Sequence, residues 1–102
     1  MLFHVTMTHT TEDCPGYNQE KMPELVAAWE KMDEIAKELK VKVHFCVDAA
    51  PEHVAYALLE AESLSSILVY VHANPSRQDF KVTPVWHEKD LIAWAKAMME
   101  RK

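Results

Sequence analysis

The chain has 102 residues, of which 49% are hydrophobic and 26% charged, and its formal net charge is −5. This length supports one domain with one core, and the composition is typical of a globular protein. The negative charge argues against a nucleic-acid partner, because phosphate binding needs clustered Lys and Arg.

The opening residues alternate between apolar and polar with a period of two, which predicts a strand with two unlike faces. The apolar row is Phe3, Val5 and Met7, and the polar row is His4, Thr6 and Thr8. A polar loop containing Pro15-Gly16 follows. Apolar residues at three- and four-residue steps from Leu25 to Leu39 then predict one amphipathic helix, with Pro23 in its first turn.

The helix leads directly into a second predicted strand, residues 41–48. Strict alternation places Val41, Val43, Phe45 and Val47 on one face, and Lys42, His44, Cys46 and Asp48 on the other. A turn at residues 49–52 and a third strand at 53–61 indicate an antiparallel hairpin.

Two more helices and a strand complete the chain. Ser63 is the predicted cap of a second helix that ends before Asn74-Pro75, with a buried stripe of Leu64, Ile67, Leu68 and Val71. Residues 80–85 form a fourth strand, which Pro84 places at a sheet edge because proline cannot donate to the ladder. A last helix, about 88–100, is expected to bury Leu91, Trp94, Ala95 and Met98.

This order of elements predicts an α+β protein, a single domain over residues 1–102 with the ferredoxin-like β-α-β-β-α-β arrangement and an extra C-terminal helix. The expected strand order in the sheet is fourth, first, third, second. Both inner helices cover one face. The other face carries mixed apolar and polar residues and is expected to pair with a second copy of the chain.

The stretch Met1-Leu2-Phe3-His4-Val5-Thr6-Met7-Thr8 is similar to the opening strand of muconolactone isomerases. In length and element order the chain also resembles the dimeric α+β barrel superfamily, in which two ferredoxin-like sheets pack face to face around a cavity. The resemblance implies a homodimer, with higher assembly left open, that binds a small organic metabolite in this cavity. It also implies isomerase-like or cofactor-free oxygenase-like chemistry. No catalytic residue is carried over, because fold does not imply function.

Several other classes are excluded or not favoured. Gly16 is the one glycine in the sequence, which excludes glycine-rich phosphate loops. There is no run of about 18 apolar residues for a transmembrane helix, and the start does not resemble a signal peptide. We therefore expect a cytoplasmic protein without a membrane partner, in which Cys14 and Cys46 are thiols.

The predicted topology collects possible metal ligands at one end of the sheet, where strand one ends, strand two ends and strand three begins. These candidates are His9, Cys14, His44, Cys46 and His53. Imidazoles and thiols suit zinc, copper or iron. His44 and Cys46, two residues apart on one strand, form the best local pair. The alternative is that Cys46 packs as a small apolar residue while His9 and His53 are exposed in turns.

The free face offers a second set of candidates, for proton-transfer catalysis on a small organic substrate. The candidate catalytic residues are His4, His44, Tyr56 and Glu60. Burial is expected to raise the pKa of Glu60 and make it an acid or base. The alternative is a dimer interface whose polar groups satisfy one another, as in a non-catalytic assembly or regulatory module. Whether the protein is an enzyme stays open on sequence grounds.

One further histidine, His72, falls near the end of the second predicted helix. A helical histidine of this kind ligates heme in some members of the superfamily. An interaction with the helix C-terminal dipole is the more common role, so heme is not favoured as a cofactor here.

Overall fold

The computed structural model describes residues 1–101, which form one four-stranded antiparallel sheet and four α-helices. In chain order the elements are β1 (Leu2–Thr8), α1 (Met22–Glu30), α2 (Met32–Glu38), β2 (Lys42–Ala49), β3 (Val54–Glu60), α3 (Leu64–His72), β4 (Asp79–Val85) and α4 (Glu88–Glu100). The sheet order is β2-β3-β1-β4. The α+β class is confirmed, and the arrangement is compatible with the ferredoxin-like fold. No helix in the described part of the chain is both long enough and apolar enough to cross a lipid bilayer.

Strand β1 lies inside the sheet and pairs antiparallel with both β3 and β4. Its predicted apolar row is confirmed, since Phe3, Val5 and Met7 are 1%, 0% and 9% exposed. Directly paired residues share a face. Val5 pairs with the buried Ala57 and His4 pairs with Leu58, so the two faces of the sheet are set by the alternation of β1.

The core lies between one face of this sheet and two of the helices. Besides the β1 residues, it contains Ala36 of α2, Ile67 and Val71 of α3, and residues 41, 57, 59 and 61. The opposite face, called here the open face, carries the residues that alternate with the core positions. It includes Leu2, His4, Thr6, Thr8, Val54, Tyr56, Leu58, Glu60, Lys81 and Thr83.

The predicted first helix is divided in the structure. It is interrupted at Lys31, whose N–H donates to Ala28 in a tightened turn between α1 and α2. The apolar period continues through this position, so the pattern could not reveal the interruption. Helix α2 then ends in a Schellman motif, in which Lys40 takes a left-handed φ of 56° and the N–H of Val41 donates to Ala36. This motif explains how β2 can follow directly.

Helix α3 begins as predicted. The Ser63 hydroxyl accepts a hydrogen bond of 3.2 Å from the N–H of Ser66. The predicted buried stripe is half correct, because Ile67 and Val71 are buried while Leu64 and Leu68 are 46% and 38% exposed. The structure turns the other half of the stripe away from the sheet.

Strand β2 departs from its predicted alternation. The pairing with β3 runs from Val43↔Leu59 to Phe45↔Leu58, so His44 is an extra residue in a β-bulge. A one-residue shift moves every later side chain to the other face. Phe45 and Val47, predicted on the core face, are therefore 40% and 54% exposed on the open face.

Helix α4 has the predicted bounds but not the predicted burial. Its apolar residues Leu91, Trp94 and Met98 are 43%, 50% and 53% exposed, and none of its residues belongs to the core. It is joined to the sheet through a contact between the rings of Trp86 and Trp94, whose centroids are 6.0 Å apart. The single chain therefore leaves an amphipathic helix with an unburied apolar face.

The Ser63 cap gives a direct test of the fold. Ser63→Ala removes the side-chain acceptor at the start of α3 and is expected to lower the free energy of unfolding by about 1 kcal/mol. The matched control is Ser65→Ala, an exposed position in the first turn of the same helix. Urea denaturation followed by circular dichroism measures both. Equal stability of the two variants would contradict the assigned cap.

Candidate functional site

Three of the predicted metal ligands come together at one end of the sheet. His9 follows the last residue of β1, His53 precedes the first residue of β3, and Cys14 lies in the loop after β1. Because β1 and β3 are antiparallel and pair up to Thr8↔Val54, the next residues outward are His9 and His53. The backbone N–H of His9 donates to the carbonyl of His53 at 3.2 Å, which extends the ladder by one step.

The side chains of these residues are close enough to share one ion. One donor atom from each of His9, Cys14 and His53 lies within 4.8 Å of the other two, and all three residues are partly buried. His53 Nδ1 and His9 Nε2 are 3.2 Å apart, and the two rings meet edge to face with centroids separated by 5.1 Å. At this distance the N–H of one imidazole can donate a hydrogen bond to the ring nitrogen of the other, in a direction set by the tautomers.

The backbone of His53 is in the left-handed region, with φ 57° and ψ 40°. This region is costly for residues other than glycine, and histidine is among those found there more often than most. Its N–H is bound to the carbonyl of Ala50, which closes a 3-10 turn over Ala50–Glu52. The turn therefore fixes the direction in which the imidazole leaves the backbone.

The loop that carries Cys14 is ordered by its own hydrogen bonds. The side-chain amide of Asn18 donates to the carbonyls of Glu12 and Cys14, at 2.7 and 2.9 Å. Thr10 Oγ1 donates to the carboxylate of Asp13 at 3.2 Å. Cys14 also precedes a 3-10 turn, Pro15–Tyr17, whose last N–H donates to its carbonyl. These contacts hold Cys14 in place beside the two histidines.

A cleft of about 500 Å³ opens beside the three residues, on the helix-covered side of the sheet. His9 and Cys14 form part of its wall. Its apolar wall includes Met7, Met22, Trp29 and Ala55, and its polar wall includes Asp13, Cys46, Asp48, Asn74, Ser76 and Gln78. The candidate metal-ligand cluster, His9, Cys14 and His53, is thus next to a space large enough for a small molecule.

The loop before β4 supplies a part of this cleft that sequence reasoning missed. Asn74 Oδ1 accepts hydrogen bonds from Trp29 Nε1 and from the N–H of Ser76, at 3.2 and 2.9 Å. Among the buried side-chain nitrogen and oxygen atoms of the described residues, Ser76 Oγ is the one that has no hydrogen-bond partner. The predicted topology could have revealed this loop. Because β4 runs antiparallel to β1, the residues just before β4 must lie next to the end of β1.

The other two predicted ligands do not join the cluster. His44 and Cys46 were expected on one face, but the bulge at His44 separates them. His44 hydrogen-bonds to Glu60 of the open face, whereas Cys46 pairs with Ala57 and lines the cleft on the other side. Partial burial and the charge of Asp48 raise the pKa of the Cys46 thiol. Cys14 and Cys46 are both free thiols.

The candidate catalytic residues lie on the open face as predicted. The His4 ring is 6.1 Å from that of Tyr56 and 6.5 Å from that of Phe45, measured between centroids. Phe45 was missed because the strict alternation assigned it to the core. The face therefore combines an imidazole and a phenol with an exposed aromatic surface.

Glu60 and His44 form a hydrogen-bonded pair on the open face. Glu60 Oε1 lies 2.7 Å from His44 Nε2, and the Glu60 side chain is 45% exposed. The hydrogen bond from His44 lowers the pKa of the Glu60 carboxyl, which outweighs the effect of desolvation. The expectation of a raised pKa was wrong, since this carboxylate is solvated and paired rather than buried.

His72 lies in the last turn of α3, and its Nδ1 is 2.8 Å from the carbonyl oxygen of Leu68. The ring also packs against Phe80, with centroids 5.2 Å apart. These contacts fit the structural role of a histidine at a helix C-terminus.

Neither the models of known protein families nor the curated proteins give a match to this chain.

The contact between His44 and Glu60 predicts a pH dependence. The folded-state pKa of Glu60 lies below its ordinary value. The stability that this contact contributes is therefore present above the ordinary carboxyl pKa and is lost as the pH falls through the lowered value. In His44→Ala, the Glu60 pKa should rise toward the ordinary value. A carboxyl-detected NMR titration measures it, with His72→Ala as the control that leaves it unchanged. An unchanged Glu60 pKa in His44→Ala would refute the assignment.

Proposed function

We propose that this protein binds a transition metal through His9, Cys14 and His53. The observation that carries the proposal is the mutual spacing of the three donor atoms, all within 4.8 Å. Two imidazole nitrogens on a tetrahedral zinc ion are about 3.4 Å apart, given metal–nitrogen bonds of about 2.1 Å. The 3.2 Å between His53 Nδ1 and His9 Nε2 is already close to that separation.

The ligand set restricts the metal. Two imidazoles and one thiolate suit zinc and copper, and iron to a lesser degree, while calcium and magnesium prefer oxygen ligands. The metal would take the place of the proton in the hydrogen bond between His9 and His53, and it would bind Cys14 as the thiolate. The β1–β3 pairing and the hydrogen bonds of the Cys14 loop hold the three donor atoms in place without an ion. Metal binding would therefore cost less conformational entropy than it would at a flexible site.

A second candidate function, favoured by the open face, is the binding of a small organic molecule between two copies of the chain. His4 beside Tyr56 and the His44–Glu60 pair provide groups capable of proton transfer on such a molecule. We propose that the open faces of two copies meet around it, as in the dimeric α+β barrels that the opening strand resembles. An isomerase-like or oxygenase-like reaction would take place in this space.

The exposed apolar surfaces support the dimer. Phe45, Val47 and Trp86 on or beside the open face are 40%, 54% and 52% exposed, as is much of the apolar side of α4. Helix α4 has 13 residues and is therefore about 20 Å long, comparable to the width of about 19 Å of a four-stranded sheet. Packing of α4 from each copy against the partner's sheet would give two symmetric contacts and a closed dimer.

The metal proposal is tested by elemental analysis and native mass spectrometry of protein purified without chelator. We expect about one metal ion per chain, and at least a tenfold loss of zinc or copper affinity in Cys14→Ala. His53→Gly is the sharper variant, because glycine accepts the left-handed backbone without strain. It should lose the metal while the metal-free protein keeps its unfolding free energy within about 1 kcal/mol.

The matched control for the metal experiment is His72→Ala, which removes an imidazole outside the cluster and should leave metal affinity unchanged. Equal metal affinity in His53→Gly and the unmodified chain would eliminate the proposed site.

The dimer is tested by light scattering coupled to gel filtration. Trp94→Glu combined with Met98→Glu places two charges on the apolar side of α4 and should convert the dimer to a monomer. Lys96→Glu changes the charge on the polar side of the same helix and should leave the dimer intact. A monomeric unmodified protein at micromolar concentration would reject this part of the proposal.

A further inference from the structure

The cluster of His9, Cys14 and His53 has one protein ligand fewer than the four of a structural zinc site. A structural zinc site is held by four protein ligands, whereas three protein ligands leave one position for water or substrate. Across residues 1–101, the His, Cys, Asp and Glu donors that converge at this point are those of His9, Cys14 and His53. Asp13, which precedes Cys14 in the loop, instead accepts a hydrogen bond from Thr10 through Oδ2, and this oxygen lies 4.0 Å from Arg77 Nε.

The cleft lies where the remaining coordination position would be reached. His9 and Cys14 belong both to the cluster and to the wall of this cleft of about 500 Å³. Pockets of about 300–1,000 Å³ are typical for small organic ligands. A ligand in the cleft would therefore lie beside two of the three proposed metal ligands.

The walls of the cleft restrict what can bind. Trp29, Met7 and Met22 offer a flat aromatic surface and two polarisable side chains. The charged groups in the wall, Asp13 and Asp48, are acidic, and no Lys or Arg is among the described residues that line it. Away from the metal, this environment disfavours an anion and accepts an uncharged or cationic molecule.

Ser76 adds a polar group at the same wall. Its buried Oγ lacks a hydrogen-bond partner within the chain, which is unfavourable for a buried hydroxyl. Asn74, which receives bonds from Trp29 and Ser76, fixes the aromatic wall relative to this hydroxyl.

From these observations we propose that the metal keeps one position for an external ligand, a small uncharged aromatic molecule with a nitrogen or oxygen donor that lies in the cleft against Trp29. This inference rests on the metal-binding function proposed above. The donor atom displaces a water molecule from the metal, and the aromatic part packs against Trp29. The protein is thus a receptor for a ligand recognised jointly by metal and cleft.

Cobalt(II) substitution tests the metal and the open position separately. A thiolate-to-cobalt charge-transfer band reports binding through Cys14, and the visible d–d bands report changes in the coordination shell. Imidazole should shift the d–d bands without removing the cobalt. 4-Phenylimidazole should bind at least tenfold more tightly than imidazole, because its phenyl ring enters the cleft.

Trp29→Leu should abolish most of this tenfold preference while leaving cobalt affinity unchanged. Trp94→Leu, the same change in α4, should keep the preference. Absence of the charge-transfer band would overturn the metal-binding function itself. A cobalt-loaded protein whose d–d bands do not respond to imidazole would overturn only the open position. Equal affinity for the two imidazoles would overturn the role of the cleft.

Discussion

The pairing of β1 with β3 is the interaction on which both candidate sites depend. It is antiparallel and unbroken from Leu2↔Glu60 to Thr8↔Val54. Its alternation sends Phe3 and Val5 into the core and leaves His4 beside Tyr56 on the open face. Where it ends, its last backbone hydrogen bond joins His9 to His53. One ladder therefore sets the core, the open face and the distance between two of the proposed metal ligands.

Features that depend on neighbouring residues were predictable from the sequence. The faces of β1 follow from a two-residue period, the start of α3 from the Ser63 cap, and the edge position of β4 from Pro84. The meeting of His9, Cys14 and His53 followed from topology, since antiparallel strands bring the end of one beside the start of the next. These inferences needed only the order of the elements and local physical rules.

Features decided by tertiary structure were not predictable. The bulge at His44 leaves no mark in an alternating sequence, and it moves Phe45 to the open face and Cys46 to the cleft. The burial of α4 was inferred from its amphipathic pattern, yet such a pattern does not say whether the covering surface belongs to the same chain. The pKa of Glu60 depends on a partner 16 positions away in sequence, and the pairing of β2 with β3 brings that partner close.

The two outer strands of the sheet also limit how copies of this protein can associate. An exposed strand edge usually invites another strand to add to it, which leads toward fibres. Here the outer strand β2 is kinked by its extra residue, and the outer strand β4 contains Pro84, which has no N–H to donate. Continuous strand addition is therefore hindered at both borders. Growth of the sheet from chain to chain through its borders is thereby discouraged, which leaves the broad open face as the part of the sheet available for the proposed pairing of two copies.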